Sequence, residues 1–273
     1  MKKYLPIVII VLVLFLLIIG GFFFWRSRRV SQTPTGLEPE GVLIETILGE
    51  RPYITLTPSS DGHWLTIDVS RIKDADSLEY ELLYNTESGA TQGSINSVKL
   101  KGETTYTKKI LLGSESSGRF KYDEGVTQGT LTLRLRGGPG TRKFVTEFHL
   151  QQGETELTSI DNNFTLTGTL TPTLFYVTMQ TVGLPGEFEA EVINGPYGVF
   201  SSGTATIKTG AVKLKLPEGK EEAKIYSWSE TKWIEEKEEL IEVIEDKIEK
   251  ERVVMVEISS LTTFILVAEE ASE

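Results

Sequence analysis

Residues 130–150 read Thr130-Leu131-Thr132-Leu133-Arg134-Leu135-Arg136-Gly137-Gly138-Pro139-Gly140-Thr141-Arg142-Lys143-Phe144-Val145-Thr146-Glu147-Phe148-His149-Leu150. Before the glycines the chain alternates strictly. Leu131, Leu133 and Leu135 point one way and Thr132, Arg134 and Arg136 the other, the period-2 pattern of a half-buried strand. After them Phe144, Phe148 and Leu150 fall on one face, and the Gly/Pro run between the segments is turn chemistry. Pairing Leu135 with Phe144 sets Leu131 opposite Phe148 and Thr132 opposite Glu147, so the apolar faces coincide. The stretch predicts an antiparallel hairpin with one wet face.

The same pattern extends on both sides. Ile54 and Leu56 share a face; after the turn at Ser59-Ser60-Asp61-Gly62, so do Leu65, Ile67 and Val69, with Trp64, Thr66 and Asp68 opposite. Leu78, Tyr80, Leu82 and Tyr84 alternate with polar neighbours, and short runs follow at 98–100, 104–112 and 120–122. This density of short strands over 51–157 predicts an antiparallel β-sandwich of immunoglobulin or fibronectin type III character. Residues 158–273 carry a second all-β set: 164–167, 175–179, 192–200 around an Asn194-Gly195-Pro196 turn cluster, a hairpin around Thr209-Gly210, then 223–228, 233–234, 253–258 and 263–267. The expected fold is all-β, two tandem antiparallel β-sandwich domains. Within the second, residues 235–252 are Glu/Lys-rich, and Leu240, Ile241, Ile244 and Ile248 fit a helical face. That insertion is expected to be helical, with a charged hairpin as the alternative.

Ahead of these domains, residues 5–25 contain no charge, and only Pro6, Gly20 and Gly21 are not large apolar residues. A helix of that length spans roughly 31 Å, the thickness of a bilayer's hydrocarbon core. Tyr4 and Trp25 bracket it at the depth where amphipathic rings prefer to lie, with Lys2 and Lys3 on one side and Arg26, Arg28 and Arg29 on the other. The run is longer than a signal-peptide core and lacks a small-residue cleavage pattern, so it is expected to be retained as a signal anchor. Residues 1–29 then form a transmembrane anchor with basic flanks and 30–50 a Pro/Gly-containing tether. Flanking charge is nearly balanced. The long strand-rich remainder favours a cytoplasmic N-terminus and extracytoplasmic C-terminal domains, in a single-pass cell-membrane protein whose bilayer contact is residues 5–25.

The full chain of 273 residues has a formal net charge of -11. Residues 1–30 contribute +5 and residues 218–273 contribute -10, so the acidity belongs to the end far from the anchor. An acidic chain is poorly suited to sequence-independent nucleic-acid binding, which needs basic surface. There is no cysteine and only two histidines, His63 and His149, far apart in sequence. Disulfides, thiolate metal sites and cysteine nucleophiles are excluded, and histidine-based catalysis has little material. No cofactor motif is present: Gly137-Gly138-Pro139-Gly140 lacks the rest of a phosphate loop, and Gly113-Ser114-Glu115-Ser116-Ser117-Gly118 has the wrong spacing for a nucleophile elbow. Asp74-Ala75-Asp76 and Asp161-Asn162-Asn163 offer oxygens for calcium but read first as Asx turns.

Two sets of residues remain as candidate contacts. Arg134, Arg136, Arg142 and Lys143 gather at the hairpin tip, either as charge guarding a sheet edge or as an anion contact for an envelope polymer or for the chain's own acidic C-terminal part. Trp64, on the outward phase of its strand, and Trp228 with Trp233, in one hairpin, are candidate glycan contacts.

Tyr226-Ser227-Trp228, Lys232-Trp233-Ile234 and the run 253–266 resemble the terminal β module of bacterial surface proteins. The stretch 111–118, with Tyr122-Asp123-Glu124-Gly125-Val126 and Gly129-Thr130-Leu131-Thr132-Leu133-Arg134, is similar to uncharacterised membrane-anchored β-sandwich proteins of small-genome candidate-phylum bacteria. Both resemblances imply an extracytoplasmic, non-catalytic protein. The expected function is structural or adhesive interaction at the cell envelope, with a polymer or protein partner. A carbohydrate-binding surface module is the alternative, and an envelope hydrolase using paired carboxylates is a second.

Overall fold

The computed structural model describes residues 42–138, 140–220, 222–245 and 250–268. Among them there is no α-helix; a single 3-10 turn, Leu48–Glu50, precedes the strands. The first half supplies β1 (Tyr53–Pro58), β2 (Trp64–Ser70), β3 (Ser77–Asn85), β4 (Thr91–Lys99), β5 (Tyr106–Leu111), β6 (Gly113–Ser116), β7 (Arg119–Tyr122), β8 (Gln128–Gly137) and β9 (Gly140–Gln152). The second supplies β10 (Glu156–Thr158), β11 (Phe164–Gly168), β12 (Phe175–Gln180), β13 (Val192–Ser201), β14 (Thr206–Lys215), β15 (Ala223–Ser229), β16 (Lys232–Glu235), β17 (Glu238–Glu245), β18 (Lys250–Ser260) and β19 (Thr263–Ala268).

These strands form several antiparallel sheets. The largest has nine strands in the order β16-β15-β19-β13-β12-β9-β8-β3-β4 and therefore draws on both halves of the chain. The junction is β9 against β12, paired from Phe175↔Gln152 to Met179↔Phe148. A three-stranded sheet, β1-β2-β5, and a five-stranded one, β10-β11-β14-β18-β17, complete the framework, with β6 and β7 as a separate ribbon. The boundary expected near residue 157 thus lies between halves that share a sheet, and Glu40–Glu273 forms one compact unit.

Alternation along each strand decides where the cores lie. Ile54, Leu65, Ile67 and Ile110 from the three-stranded sheet meet Leu78, Tyr80, Leu131, Leu133, Phe144 and Phe148 from the nine-stranded one in a first core. Phe164, Leu166, Val212, Leu214, Val254 and Val256 from the five-stranded sheet meet Tyr197, Val199, Ile225, Phe264 and Leu266 in a second. β12 belongs to both: Val177 and Met179 enter the first core, Tyr176 the second. Successive residues of a strand point to opposite faces. The two cores therefore lie on opposite faces of one sheet, and β12 is buried on both.

The 130–150 hairpin forms, but its register differs from the expected one. Leu133, not Leu135, pairs with Phe144, Leu135 pairs with Arg142, and the ladder continues to Gly137↔Gly140. The loop is shorter than the glycine run suggested, and the shift is two residues in pair sum. A two-residue shift preserves which face each side chain occupies, so matching of apolar faces could not tell the registers apart.

In the second half, 206–215 is one strand rather than a hairpin around Thr209-Gly210, and the glycine sits at a register shift against β18. The insertion expected as a helix is β17 and β18, paired from Leu240↔Met255 to Glu245↔Lys250; the hairpin alternative is the one observed, with 246–249 outside the described residues. β18 already pairs with β14, so its other edge offers a template that overrides the helical propensity of the Glu/Lys run. Among the described residues no helix is long and apolar enough to cross a membrane, and the run 5–25 lies outside them.

Candidate functional site

The outer face of the three-stranded sheet carries a cluster of aromatic rings. Trp64 lies on the side of β2 opposite Leu65, Ile67 and Val69. The β6-β7 ribbon folds back beside it, anchored where the Leu112 N–H donates to the His63 carbonyl at 2.9 Å and the Asp123 N–H to the Leu112 carbonyl at 3.0 Å. Phe120 and Tyr122, two residues apart on β7, then share a face. The Phe120 ring meets Trp64 edge-on at 5.6 Å, and Tyr122 stacks on the His63 imidazole at 4.0 Å with 8° between planes. Lys109, on β5, sets its ammonium 4.8 Å from the Trp64 ring centroid. Such ring contacts contribute of order 1 kcal/mol each beyond area burial. Phe120 remains 46% exposed and Tyr122 38%. Phe120 and Tyr122 alternate with Lys121 in the sequence, but that their ribbon docks beside Trp64 and His63 is visible only in the structure.

Trp228 and Trp233 occupy a different setting. They pair across β15 and β16 with rings edge-on at 5.3 Å. Trp233 also meets Phe188 at 5.6 Å, and Phe188 meets Tyr226 at 5.2 Å. Gly186 lies so close to the Trp228 ring that a Cβ there would come within 2.2 Å of it. Phe188, Tyr226 and Trp233 pack against the small cluster of Leu184, Ile265 and Val267, and Trp228 lies against Trp233. The candidate glycan residues are therefore divided between two places.

The four basic candidates are divided as well. Arg134 and Arg136 project from the face of β8 away from the first core, where Arg134 pairs with Glu79 at 3.1 Å and with Glu81 at 3.5 Å, and Arg136 with Glu79 at 3.4 Å. Glu79 is only 2% exposed and Arg134 6%. Lys143 is the cross-strand partner of Arg134 and shares its face. Arg142, paired with Leu135, lies on the other side and donates to the carbonyls of Lys73 and Asp74. The hairpin tip is thus no single basic patch, and Arg134 and Arg136 are engaged with carboxylates of the same sheet.

The two histidines, distant in sequence, line one cleft. Its volume is about 670 Å³, and Asp61, Asp123, Glu124, Glu154 and Glu156 line it with His63 and His149. Hydrogen bonds from the Ser59 hydroxyl and the His63 backbone N–H hold the Asp61 carboxyl below the usual carboxylate range. Burial, and a hydrogen bond to Asp123 at 2.9 Å, push the Tyr84 phenol up. His149 Nδ1 lies 3.1 Å from the Thr158 carbonyl; since a carbonyl only accepts, Nδ1 is the donor. Among the described residues no three His, Asp or Glu side chains converge to hold a metal ion. No family model, curated protein or solved structure matches the chain.

The turn residues proposed as calcium oxygens have another use. Asp161 accepts from the Tyr197 hydroxyl at 2.6 Å, the Ser159 hydroxyl at 2.5 Å, the Asn163 amide and backbone N–H, and Gln180 at 3.4 Å. The arrangement repeats that of Ser59 and Asp61: in both turns the serine hydroxyl donates to the aspartate, and the backbone N–H of an aromatic residue, Trp64 or Phe164, donates to the serine. Asp74 and Asp76 flank a loop whose Asp76 N–H donates to the Arg136 carbonyl at 2.7 Å.

Proposed function

We propose that the chain is a single-pass, membrane-anchored extracytoplasmic protein whose β unit serves structural or adhesive interaction at the cell envelope, without catalysis. The observation that carries this reading is the uncharged apolar run 5–25, bracketed by aromatic and basic residues, ahead of a nearly all-β unit. A long strand-rich segment is one that export carries across a membrane largely regardless of local charge. The strand order supports the finer fold reading. β1-β2-β5 facing β9-β8-β3-β4 corresponds to strands A-B-E opposite G-F-C-C′ of an immunoglobulin-like sandwich. The second half supplies a comparable two-layer arrangement around its own core. Protease added to intact cells is expected to remove a C-terminal epitope and leave a membrane-bound fragment of about 30–40 residues, following the anchor length needed to span a bilayer. Full protection of the epitope would overturn the reading.

One observation favours carbohydrate as the ligand class. Sugars present C–H faces that stack on aromatic rings, and Phe120 and Tyr122 are exposed beside Trp64, with Lys109, Asp61 and Ser59 nearby as polar groups. On this reading the ligand meets the β7 face, while Trp228 and Trp233 hold the fold. Glycan-array binding by the full-length chain, lost in Phe120→Ala and retained in Trp228→Phe, is the expected result. Array silence would remove this second reading and leave the first standing.

A further inference from the structure

We infer that β4 is a self-association edge, through which two copies of this chain pair antiparallel with Ile95 on the two-fold axis. The inference rests on the folded strands alone and does not depend on the membrane anchor.

An edge strand exposes a row of unpaired N–H and C=O groups, and proteins usually guard it with charge, proline, brevity or cover. Seven of the eight sheet edges among the described residues are guarded in one of these ways. β16 has four residues, including Lys232 and Glu235; β10 has three; β17 contains four glutamates. β5 carries Lys108 and Lys109, β6 carries Glu115, and β7 carries Arg119 and Lys121. β1 ends at Pro58, and its Ile54 N–H is occupied by the Thr181 carbonyl at 3.0 Å. β4 is the least guarded: of its edge N–H groups, that of Ser97 is taken, by the Asn96 side-chain carbonyl at 2.9 Å. It reads Thr91-Gln92-Gly93-Ser94-Ile95-Asn96-Ser97-Val98-Lys99, nine residues with one charge, at the last position, and is exposed along most of its length. Its ladder with β3 runs from Ser77↔Lys99 to Asn85↔Thr91 without a bulge, so nothing twists the edge away.

The sequence of β4 favours its own copy as the occupant. In an antiparallel pair using all nine residues, Thr91 faces Lys99, Gly93 faces Ser97, Ser94 faces Asn96, and Ile95 faces itself. The only exposed large apolar side chain of the strand, 41% exposed, is therefore the one that the two-fold covers. No like charges meet, because each Lys99 falls opposite a threonine. Ser94 faces Asn96 twice, and pairing requires the Asn96 carbonyl, which accepts from the Ser97 N–H at 2.9 Å, to release that N–H to the partner strand. Ile95 also lies on the face of the sheet that carries Leu83 and Val145, exposed 38% and 54%, so pairing extends that face across two copies. A two-fold consumes both edges and closes at a dimer. Contact through one strand is small beside a standard interface, so the dimer is a weak one that concentration populates.

The absence of cysteine makes the test direct. Single-cysteine variants of the full-length chain, Ile95→Cys and Thr91→Cys, are oxidised mildly and resolved on non-reducing gels. Two copies of residue 95 are neighbours across the axis, whereas two copies of residue 91 lie about 27 Å apart, beyond disulfide reach. Ile95→Cys should cross-link to twice the monomer mass and Thr91→Cys should not. Sedimentation of the unmodified chain should show a concentration-dependent shift from monomer to dimer, lost in Ile95→Lys. Ile95 is a solvent-side residue, so that variant keeps the core. If Ile95→Cys folds poorly, mixing Ser94→Cys with Asn96→Cys chains should give a mixed dimer in its place. A monomer at every concentration, equal cross-linking at 91 and 95, an open series of larger oligomers, or association unchanged by Ile95→Lys would each overturn the inference.

Discussion

Asp161 shows what one side chain of a turn can contribute. Burial pushes its carboxyl up, but hydrogen bonds from Ser159, Tyr197 and Asn163 outweigh burial and hold it below the usual range. A carboxylate whose folded pKa is depressed stabilises the fold above its unfolded pKa, about 3.9, and that contribution disappears as pH falls through the lower folded value. Asp161→Asn should therefore destabilise the protein at pH 7 and flatten its stability profile below pH about 4. Denaturant titrations of both chains across that range provide the check; parallel profiles would show that the carboxylate charge contributes nothing. The sequence marked Asp161-Asn162-Asn163 as an Asx turn, and the structure agrees. It did not disclose Tyr197, 36 residues away in the chain, as the donor at 2.6 Å. The same limit hid Glu79 from Arg134 and both His63 and His149 from one cleft: residue type is local, but a partner is fixed only by register.

At the scale of elements, alternation was readable and pairing was not. The faces of β2, β3 and β8 follow from the sequence because large apolar residues recur at every second position. β4 gives no such signal: seven of its nine residues are polar or glycine, and the run expected at 98–100 overlaps only its last two residues. The 130–150 hairpin kept its faces while its register moved by two, and the Glu/Lys run became β17 because β18 presented an edge to it. The two halves also share a repeated turn. Ser59-Ser60-Asp61-Gly62-His63-Trp64 and Ser159-Ile160-Asp161-Asn162-Asn163-Phe164 make the same turn 100 residues apart, with positive φ at Gly62 (71°) and Asn162 (55°). Each turn joins the first two strands of a covering sheet, β1 to β2 and β10 to β11. The two serines differ in setting: Ser159 is 3% exposed and Ser59 is near the surface. Water can replace the lost hydroxyl at the second but not at the first. Ser159→Ala should cost about 1–3 kcal/mol, following the cost of an unsatisfied buried donor, and Ser59→Ala less than about 1 kcal/mol. Equal losses in chemical denaturation would mean that burial of the turn is irrelevant.

For the whole molecule, the shared sheet makes the two halves energetically one. Met179 comes from the second half of the chain and is 1% exposed in the first core, beside Phe148 across the β9-β12 pairing. The link is reinforced elsewhere. Tyr53 of β1 and Thr263 of β19 exchange a hydrogen bond of 2.9 Å, and Arg71 donates to the carbonyls of Leu184 at 2.8 Å and Gly186 at 3.0 Å. Gly183 packs so closely under Arg51 and Pro52 that a Cβ would lie 2.4 Å from a backbone oxygen. None of these contacts can form if one half opens alone, and each buried polar partner left behind would be unsatisfied. Unfolding should therefore be a single transition, with the most protected amides of β3 and of β15 exchanging through the same global opening. Met179→Ala removes side-chain volume from the first core and should cost at least about 2 kcal/mol, equivalent to a roughly 30-fold faster exchange. Because the opening is shared, that acceleration should appear equally in β15, whose core-facing residues Ala223 and Ile225 lie in the other core. Hydrogen exchange of the full-length chain followed by mass spectrometry reads both strands in one experiment. Acceleration confined to β3 would mean that the halves open independently, and the nine-stranded sheet would then be a continuity of pairing without a continuity of stability.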